Sequence, residues 1–342
     1  MNAHDHLEFN LFPQLGRGPY RNASLWAEDI HRSDGDTIRN HSAVPKALRL
    51  WWGGIKNLLC GATTVCHHNP FEDEVFDSSF PVRVVRNFGW THSLAFGRKI
   101  SAAFRVTPDS APFILHLAEG TDASSRDEIF TLDKLGFLDS RTVIVHGVGL
   151  DQDGQALLSR RGAAIIWCPT SNGFTLGKTL DYGYASKARK IAVGSDSALT
   201  SRGDLIDEVK FATKEGGLSP SLVYSMVSDG AADVLRLKNG EGMLREGAVA
   251  DFIIMAWRGS SPAETLARAT FKDIHAVVVG GQLNLVTFPI AGLWPEAMLE
   301  GLEPITIEGN QRWVRAPVSE LLAATKHHLG NSIRLAGKRV TS

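Results

Sequence analysis

Four short motifs hold residues able to do chemistry together. The first is His4-Asp5-His6. On an extended strand, residues i and i+2 share one face, so both imidazoles can hold one cation while Asp5 turns to the other face. Imidazole nitrogen suits zinc, at about 2.0–2.1 Å; the plain alternative is a pair of solvated side chains. The second is "HLAEG", where His116 ends an apolar run and Glu119 follows three residues on. If His116 is a third ligand, Glu119 lies above the strand, within reach of a water on the metal. A carboxylate there can take a proton and pass it to a leaving group. The alternative is a helix-start Glu favoured by the helix dipole. The third is "VIVHGVGLD", whose His146 can contact substrate, stabilise developing charge, or serve as a satisfied structural histidine. In the fourth, "VGSDSALT", Asp196 can ligate the metal and accept a proton, or simply cap the next helix.

The elements that must position these residues are short apolar runs: Ala62–Cys66, Val82–Val85, Phe113–His116, Thr142–His146, Ala163–Trp167 and Ile191–Gly194. Each is apolar on both faces and bounded by turn residues, as parallel strands covered on both sides are. Helix-like stretches such as Arg126–Leu135 and Gly154–Arg161 lie between them. A strand-helix repeat of about 25 residues argues for βα units, and roughly eight of them make a barrel. His67, His68, His116, His146 and Asp196 all fall at strand ends, where parallel α/β folds place their sites. Between Val85 and Phe113 a fourth strand is hard to place; "GWTHSLAF" (Gly89–Phe96) is the candidate, which brings His92 toward the pocket. Beyond about residue 215, Pro220–Leu237 reads as a helix. "GMLREGAVADFIIMAW" and "IHAVVVGGQLNLV" read as short antiparallel strands, and Pro317–Gly330 as a helix.

The 342 residues suffice for one large α/β domain with a small companion. The 36 basic and 37 acidic side chains leave a formal charge of -1, which offers no bulk attraction to nucleic acid or to a membrane surface. Three cysteines, Cys60, Cys66 and Cys168, make no disulfide framework and fit a reducing, cytoplasmic setting. No apolar run reaches the roughly 18 residues of a membrane span, and the N-terminus lacks the pattern of a signal peptide.

Taken in order, H-x-H, H-x-x-E, His and Asp, each after an apolar strand, resemble the amidohydrolase superfamily. The likeness is to its mononuclear metal branch, which holds cytosine, guanine and S-adenosylhomocysteine deaminases and triazine hydrolases. "GATTV" (Gly61–Val65), "CPTSN" (Cys168–Asn172) and "EGMLREGAVADFIIM" are similar to further family segments. The likeness runs from His4 to about Val286. It implies a distorted (β/α)8 TIM barrel over residues 1–237, a small, partial β-sandwich over 238–290, and a C-terminal helical extension, 291–342, packing on the barrel. It also implies one divalent ion, zinc foremost and iron as the alternative, held by His4, His6, His116 and Asp196. Glu119 is then the proton shuttle and His146 the substrate-contact or electrophilic residue, with Asp196 sharing in catalysis. No lysine ends a strand before His116, so a dinuclear centre on a carbamylated lysine is not expected.

In the family, H-x-H ends the first barrel strand. Only Met1, Asn2 and Ala3 precede His4 here, so the first strand is expected as a truncated stub on a fraying end. The loop Leu7–Asn22 is expected to cover the substrate, with Asn10, Arg17 and Tyr20 touching it; His68 and His92 are further pocket candidates. Trp90, Trp167 and Phe174 can either wall a flat ring or pack in the core. The expected function is a metal-dependent hydrolase, foremost a hydrolytic deaminase of an amino-substituted heterocycle that uses water activated on the metal. Cleavage of a cyclic amide or halide, or a truncated homologue without activity, are the alternatives. The partner is a small molecule, and the resemblance implies a homo-oligomer.

Overall fold

A computed structural model describes residues 1–94 and 100–341. Eight parallel strands form two sheets. The first holds β1 (Asn2–Asp5), β2 (Thr64–His67) and β3 (Arg83–Val84); the second holds β4 (Gly89–Ser93), β5 (Phe113–Leu117), β6 (Thr142–His146), β7 (Ala164–Trp167) and β8 (Ile191–Val193), in that order. The six expected strands are present within one or two residues. β4 supplies the one left open, although Ala95 and Phe96 of that expectation lie outside the described residues. β5, β6, β7 and β8 are buried throughout, which is why their sequences are apolar on both faces. Helices such as Ala123–Lys134 and Gln152–Arg161 connect them, each started by an aspartate side chain, Asp122 or Asp151, that accepts a backbone N–H.

The two sheets meet where β8 approaches β1, which gives the α/β fold its barrel-like form. Asp196 N–H donates to His4 O at 3.1 Å and Ser195 N–H to Asn2 Oδ1 at 3.0 Å. Gly194 makes this approach possible, because a Cβ there would stand 2.6 Å from His4 Cβ. No β3–β4 pairing is found among the described residues. The expected fraying end is instead the buried strand β1, paired in parallel with β2.

Three helices follow β1: α1 (Ala23–Ser33), α2 (Gly35–Ser42) and α3 (Lys46–Leu59). α1 and α2 fall in a stretch where the sequence suggested no element. α3 packs on the turn Leu7–Phe9 so closely that a Cβ at Gly53 would sit 2.3 Å from Leu7 O.

The remaining strands build one antiparallel sheet in the order β14-β15-β12-β13-β11-β10-β9. They are β9 (Phe252–Met255), β10 (Ile274–Val279), β11 (Gln282–Val286), β12 (Glu303–Ile307), β13 (Asn310–Val314), β14 (Arg334–Leu335) and β15 (Lys338–Thr341). The C-terminal helix Val318–Leu329 is where it was expected, and Trp52 of α3 donates to its Thr325 Oγ1 at 2.8 Å. Residues 291–342 are not a helical extension alone, however, since they contribute four strands. Their turns were hard to see because Glu308 and Ala336 adopt positive φ, 47° and 50°, where Asn, Asp or Gly is the usual signal. The helix expected over Pro220–Leu237 is two, Pro220–Met226 and Asp229–Val234, broken at Ser228. Among the described residues no helix is long and apolar enough to cross a membrane.

A buried carboxyl ties two helices together behind the sheet. Glu208, on the helix Leu205–Lys214, is fully buried and bonds Thr170 through its backbone N–H, at 3.0 Å, and its hydroxyl. Burial pushes Glu208 up to about 8 despite these bonds. Between the usual glutamate range and about pH 8 the folded chain keeps a proton that the unfolded chain releases, so stability falls as pH rises through that window. Glu208→Gln, which mimics the protonated form, is expected to raise Tm by several degrees at pH 8.5 (roughly 2–4 °C per kcal/mol) and to change it little at pH 5. Thermal scans at both pH values check this; an equal shift at both would contradict it.

Candidate metal and catalytic site

The carboxyl ends of β1, β5, β6 and β8 bring the motif residues together. Three residues at or within three positions of these strand ends, Ala118 (φ 54°), His146 (φ 76°) and Asp196 (φ 54°), sit in the left-handed region. Such backbone strain persists only where the surroundings impose it, and it concentrates at functional sites.

His4 and His6 face the same way, and His116 closes on both: its Nε2 lies 3.3 Å from His4 Nε2 and 3.3 Å from His6 Nε2. Asp196 Oδ1 lies 3.9 Å from His4 Nε2 and 3.8 Å from His6 Nε2. Donors around a tetrahedral ion at about 2.0–2.1 Å stand about 3.3–3.4 Å apart, and His116 has this spacing to both His4 and His6; Asp196 stands farther off and falls with His4 and His146 in a second group able to hold an ion. Burial first, and then the neighbouring histidines, hold His4 and His116 well below the usual imidazole range, so both present lone pairs. Burial raises Asp196, but the neighbouring His146 and His6 and hydrogen bonds from Ser171 Oγ and Ser197 N–H outweigh it and keep the carboxyl below its ordinary value. Its Oδ2 is occupied by Ser171 and Thr200, which leaves Oδ1 toward the histidines.

His68 joins the cluster from β2: it belongs with His4, His6 and His116 in one group able to hold an ion. Its Nε2 lies 3.2 Å from Thr91 O, and its buried Nδ1 has no partner. His67 points the other way, toward Glu8 and Phe76.

Glu119 stands beside the cluster with 19% of its side chain exposed, its Oε1 3.5 Å from His146 Nε2. Burial, only partly offset by His146, pushes Glu119 up to about 7. A group with that value gives and takes protons near neutrality. His146 is oriented from behind. Asn172 Nδ2 donates to Thr179, so Asn172 Oδ1 faces His146 Nδ1 at 2.7 Å. The Nδ1 therefore carries the proton, and Nε2 is left toward Glu119.

A cavity of about 510 Å³ opens from this cluster and is lined by His6, His92, His116, Glu119, His146 and Asp196 at its inner end. Of the expected substrate residues, His92 and His146 line it. Burial and the nearby His6 and His146 lower His92 to about 4.

Asn10, Arg17, Tyr20 and His68 do not line it, which corrects the expectation for all four; His68 is fully buried behind the cluster. Asn10 is fully buried and donates to Asp5 Oδ1 at 2.7 Å. Arg17 is exposed, and Tyr20 donates its hydroxyl to Asp29 at 2.5 Å. The loop lines the cavity as far as Leu15, and α1 and α2 cover it beyond that point. The aromatic lining is Phe9, Phe12 and Trp26, whereas Trp167 is a fully buried core residue and Trp90 packs on His68.

Sequence reasoning also missed what holds the H-x-H pair. Asp5 is not idle: it is 0% exposed and pairs with Lys56, itself 1% exposed, at 3.3 Å. Lys56 Nζ also donates to Asn10 Oδ1, Ser195 Oγ and Asp196 O, and Asp5 further accepts from Asn57 and Asn2. The signal available was a charged residue inside the apolar helix "LWWGGIKNLL". Removing one partner of a buried pair strands the other charge. Lys56→Met is expected to cost about 3–5 kcal/mol in urea unfolding, and the double variant Asp5→Asn/Lys56→Met to recover part of it. No recovery in the double variant would contradict the pairing.

Residues 112–283, half of the chain, match the model of the amidohydrolase family. Over 177 residues the chain is 29% identical to the 5-methylthioadenosine/S-adenosylhomocysteine deaminase of Pyrococcus furiosus, a match covering 45% of this chain and 41% of that protein. It is 32% identical over 107 residues to the aminodeoxyfutalosine deaminase of Deinococcus radiodurans, covering 30% and 26%. The chain thus spans about half the length, or less, of the curated relatives it matches. Among solved structures, the zinc complex of atrazine chlorohydrolase from Arthrobacter aurescens superposes with a TM-score of 0.67 at 17% identity, covering 96% of this chain and 86% of that one. An adenosine deaminase from Xanthomonas campestris with bound zinc gives a TM-score of 0.64 at 14% identity, covering 96% and 83%. At these identities the structural likeness speaks for the fold alone, and the family match carries the assignment: the chain belongs to the amidohydrolase family.

Proposed function

We propose that the protein is a metal-dependent hydrolase that removes an amino group from a nitrogen heterocycle, on a distorted, closing (β/α)8 barrel. The observation that carries this reading is the convergence of three imidazole Nε2 atoms and Asp196 Oδ1 beside a carboxyl poised near neutrality. The curated relatives, whose names are those of deaminases of adenosine-like compounds, support the reaction class.

His4, His6, His116 and Asp196 hold one divalent ion, zinc foremost and iron as the alternative. When bound, that ion lowers the pKa of a water and so supplies a nucleophile at neutral pH. Glu119 takes a proton from the attacking water at Oε1 or Oε2 and gives it to the departing nitrogen. The C–O bond forms, the C–N bond breaks, and ammonia leaves. His146, its ring fixed by Asn172, turns Nε2 to the substrate; with a second proton at that nitrogen it donates to the ring atom on which negative charge builds. His92 contacts the substrate, and His68 stands behind the cluster, next to His4, His6 and His116. In the same reading the enzyme works on a small molecule in the cytoplasm as a homo-oligomer; three free, buried cysteines support a reducing compartment.

The chain purified without added metal is expected to contain close to one zinc or iron by elemental analysis, and His6→Ala to lose most of it. Glu119→Gln is expected to keep the metal and lower ammonia release by about 10²–10⁴-fold. Full activity in Glu119→Gln would contradict the assigned role.

A further inference from the structure

The cavity has two chemically distinct ends. At the inner end lie the histidines, Glu119 and Asp196. The outer lobe, between α1, α2 and the segment after β8, is walled by Phe9, Phe12, Trp26, Ile30, Ile38 and Leu199. Phe9 and Phe12 pack edge to face with centroids 5.6 Å apart. Trp26 has already used its indole N–H on Leu15 O, at 3.0 Å, so its ring meets the lobe as apolar surface.

What the lining lacks is as informative. Among the described residues Glu119 and Asp196 are its two carboxylates, and both belong to the inner end. No carboxylate of the outer lobe can therefore accept the paired hydroxyls of a sugar. Among the described residues the lining also contains no lysine or arginine to meet a phosphate or a carboxylate. The other polar side chains of the lining are His31, Ser42, Asn69, Ser197 and Thr200; His31 and Ser42 are solvent-exposed, and Asn69 and Thr200 already donate to Glu8 and Asp196. A hydroxyl pressed against Phe12 or Ile30 would lose its water and gain no partner, which weakens binding by roughly tenfold or more. An apolar group of ring size buried there gains roughly tenfold or more. The volume, about 510 Å³, is that of a small-molecule site with room beyond a single heterocycle.

We propose that the substrate is a neutral amino-heterocycle carrying an aryl or alkyl substituent, with the amino end at Glu119 and the apolar substituent in the lobe of Phe12, Trp26 and Ile30. This rests on the deaminase reading above and adds to it the class of substituent. It sets the chain apart from what the relatives' names say of those proteins, since a nucleoside presents a sugar where this cavity is apolar.

The test uses two matched pairs, adenosine against 9-benzyladenine and cytidine against 1-benzylcytosine. Binding to the zinc-loaded Glu119→Gln protein is measured by calorimetry, and ammonia release is measured on the zinc-loaded native protein. The expected result is that in at least one pair the benzyl compound binds at least tenfold more tightly and has the higher kcat/KM. Ala27→Asp, which puts a carboxylate into the lobe from α1 without removing a core side chain, is expected to erase that preference. Trp26→Ser, which removes apolar wall instead, is expected to reduce it. Equal or tighter binding of the nucleoside in both pairs, or a preference unchanged in both variants, would overturn the inference. Turnover of both members of a pair at equal kcat/KM would overturn it while leaving the deaminase reading standing. Preferential binding of the benzyl compounds with no ammonia released from any probe would uphold the apolar lobe and overturn the deaminase reading instead.

Discussion

A buried ion pair sits under the site, and much of the arrangement above it depends on that pair. Lys56, on a helix that is otherwise apolar at this level, meets Asp5 out of reach of water. Two isolated charges could not be buried there; each would need its hydrogen-bonding capacity filled. Asn2, Asn10, Asn57, Ser195 and the carbonyl of Asp196 fill it. The partners come from β1, the turn after it, α3 and the end of β8, so one polar knot joins the elements that carry His4, His6 and Asp196. The alternation of a strand does the rest: with Asp5 anchored below, His4 and His6 must face upward together.

That anchoring explains how imidazoles so deprived of water can stand 3.3 Å apart. Burial keeps His4 and His116 unprotonated, and Asp196 adds the one formal negative charge that a cation would need. Strain at His146 and Asp196 is tolerated because both are tied from behind, by Asn172 in one case and by Ser171 and Thr200 in the other. The inner end of the cavity is thus rigid and polar. The outer lobe is built from α1, α2, Phe9, Phe12 and Leu199 and is apolar. Rigid chemistry at one end and a replaceable apolar wall at the other is how one fold can carry several substrates.

Much of this was legible in the sequence for a physical reason. A parallel strand covered on both faces leaves an uninterrupted apolar run, and a reactive residue at its end stands out, as His116, His146 and Asp196 do. The knot under the site was not legible in this way, since Lys56 and Asp5 are 51 positions apart and their pairing exists only once α3 packs on β1. Asn10, Arg17 and Tyr20 were misjudged because nearness in sequence to the H-x-H pair stood in for nearness in space. Two C-terminal hairpins escaped notice because Gly309 and Gly337 alone marked their turns, with Glu308 and Ala336 in the preceding turn positions. Helices α1 and α2 carry an apolar stripe as marked as that of the helix Leu205–Lys214, but they interrupt the strand-helix alternation, so the lobe they form went unannounced.

The measurement that bears most directly on this account is an anomalous-scattering map of crystals of the chain loaded with one equivalent of zinc, recorded at the zinc edge. The account predicts one peak, at bonding distance from the Nε2 atoms of His4, His6 and His116 and from Oδ1 of Asp196. A zinc ion bound elsewhere, or one held by His68 and the other histidines with Asp196 turned away, would contradict it.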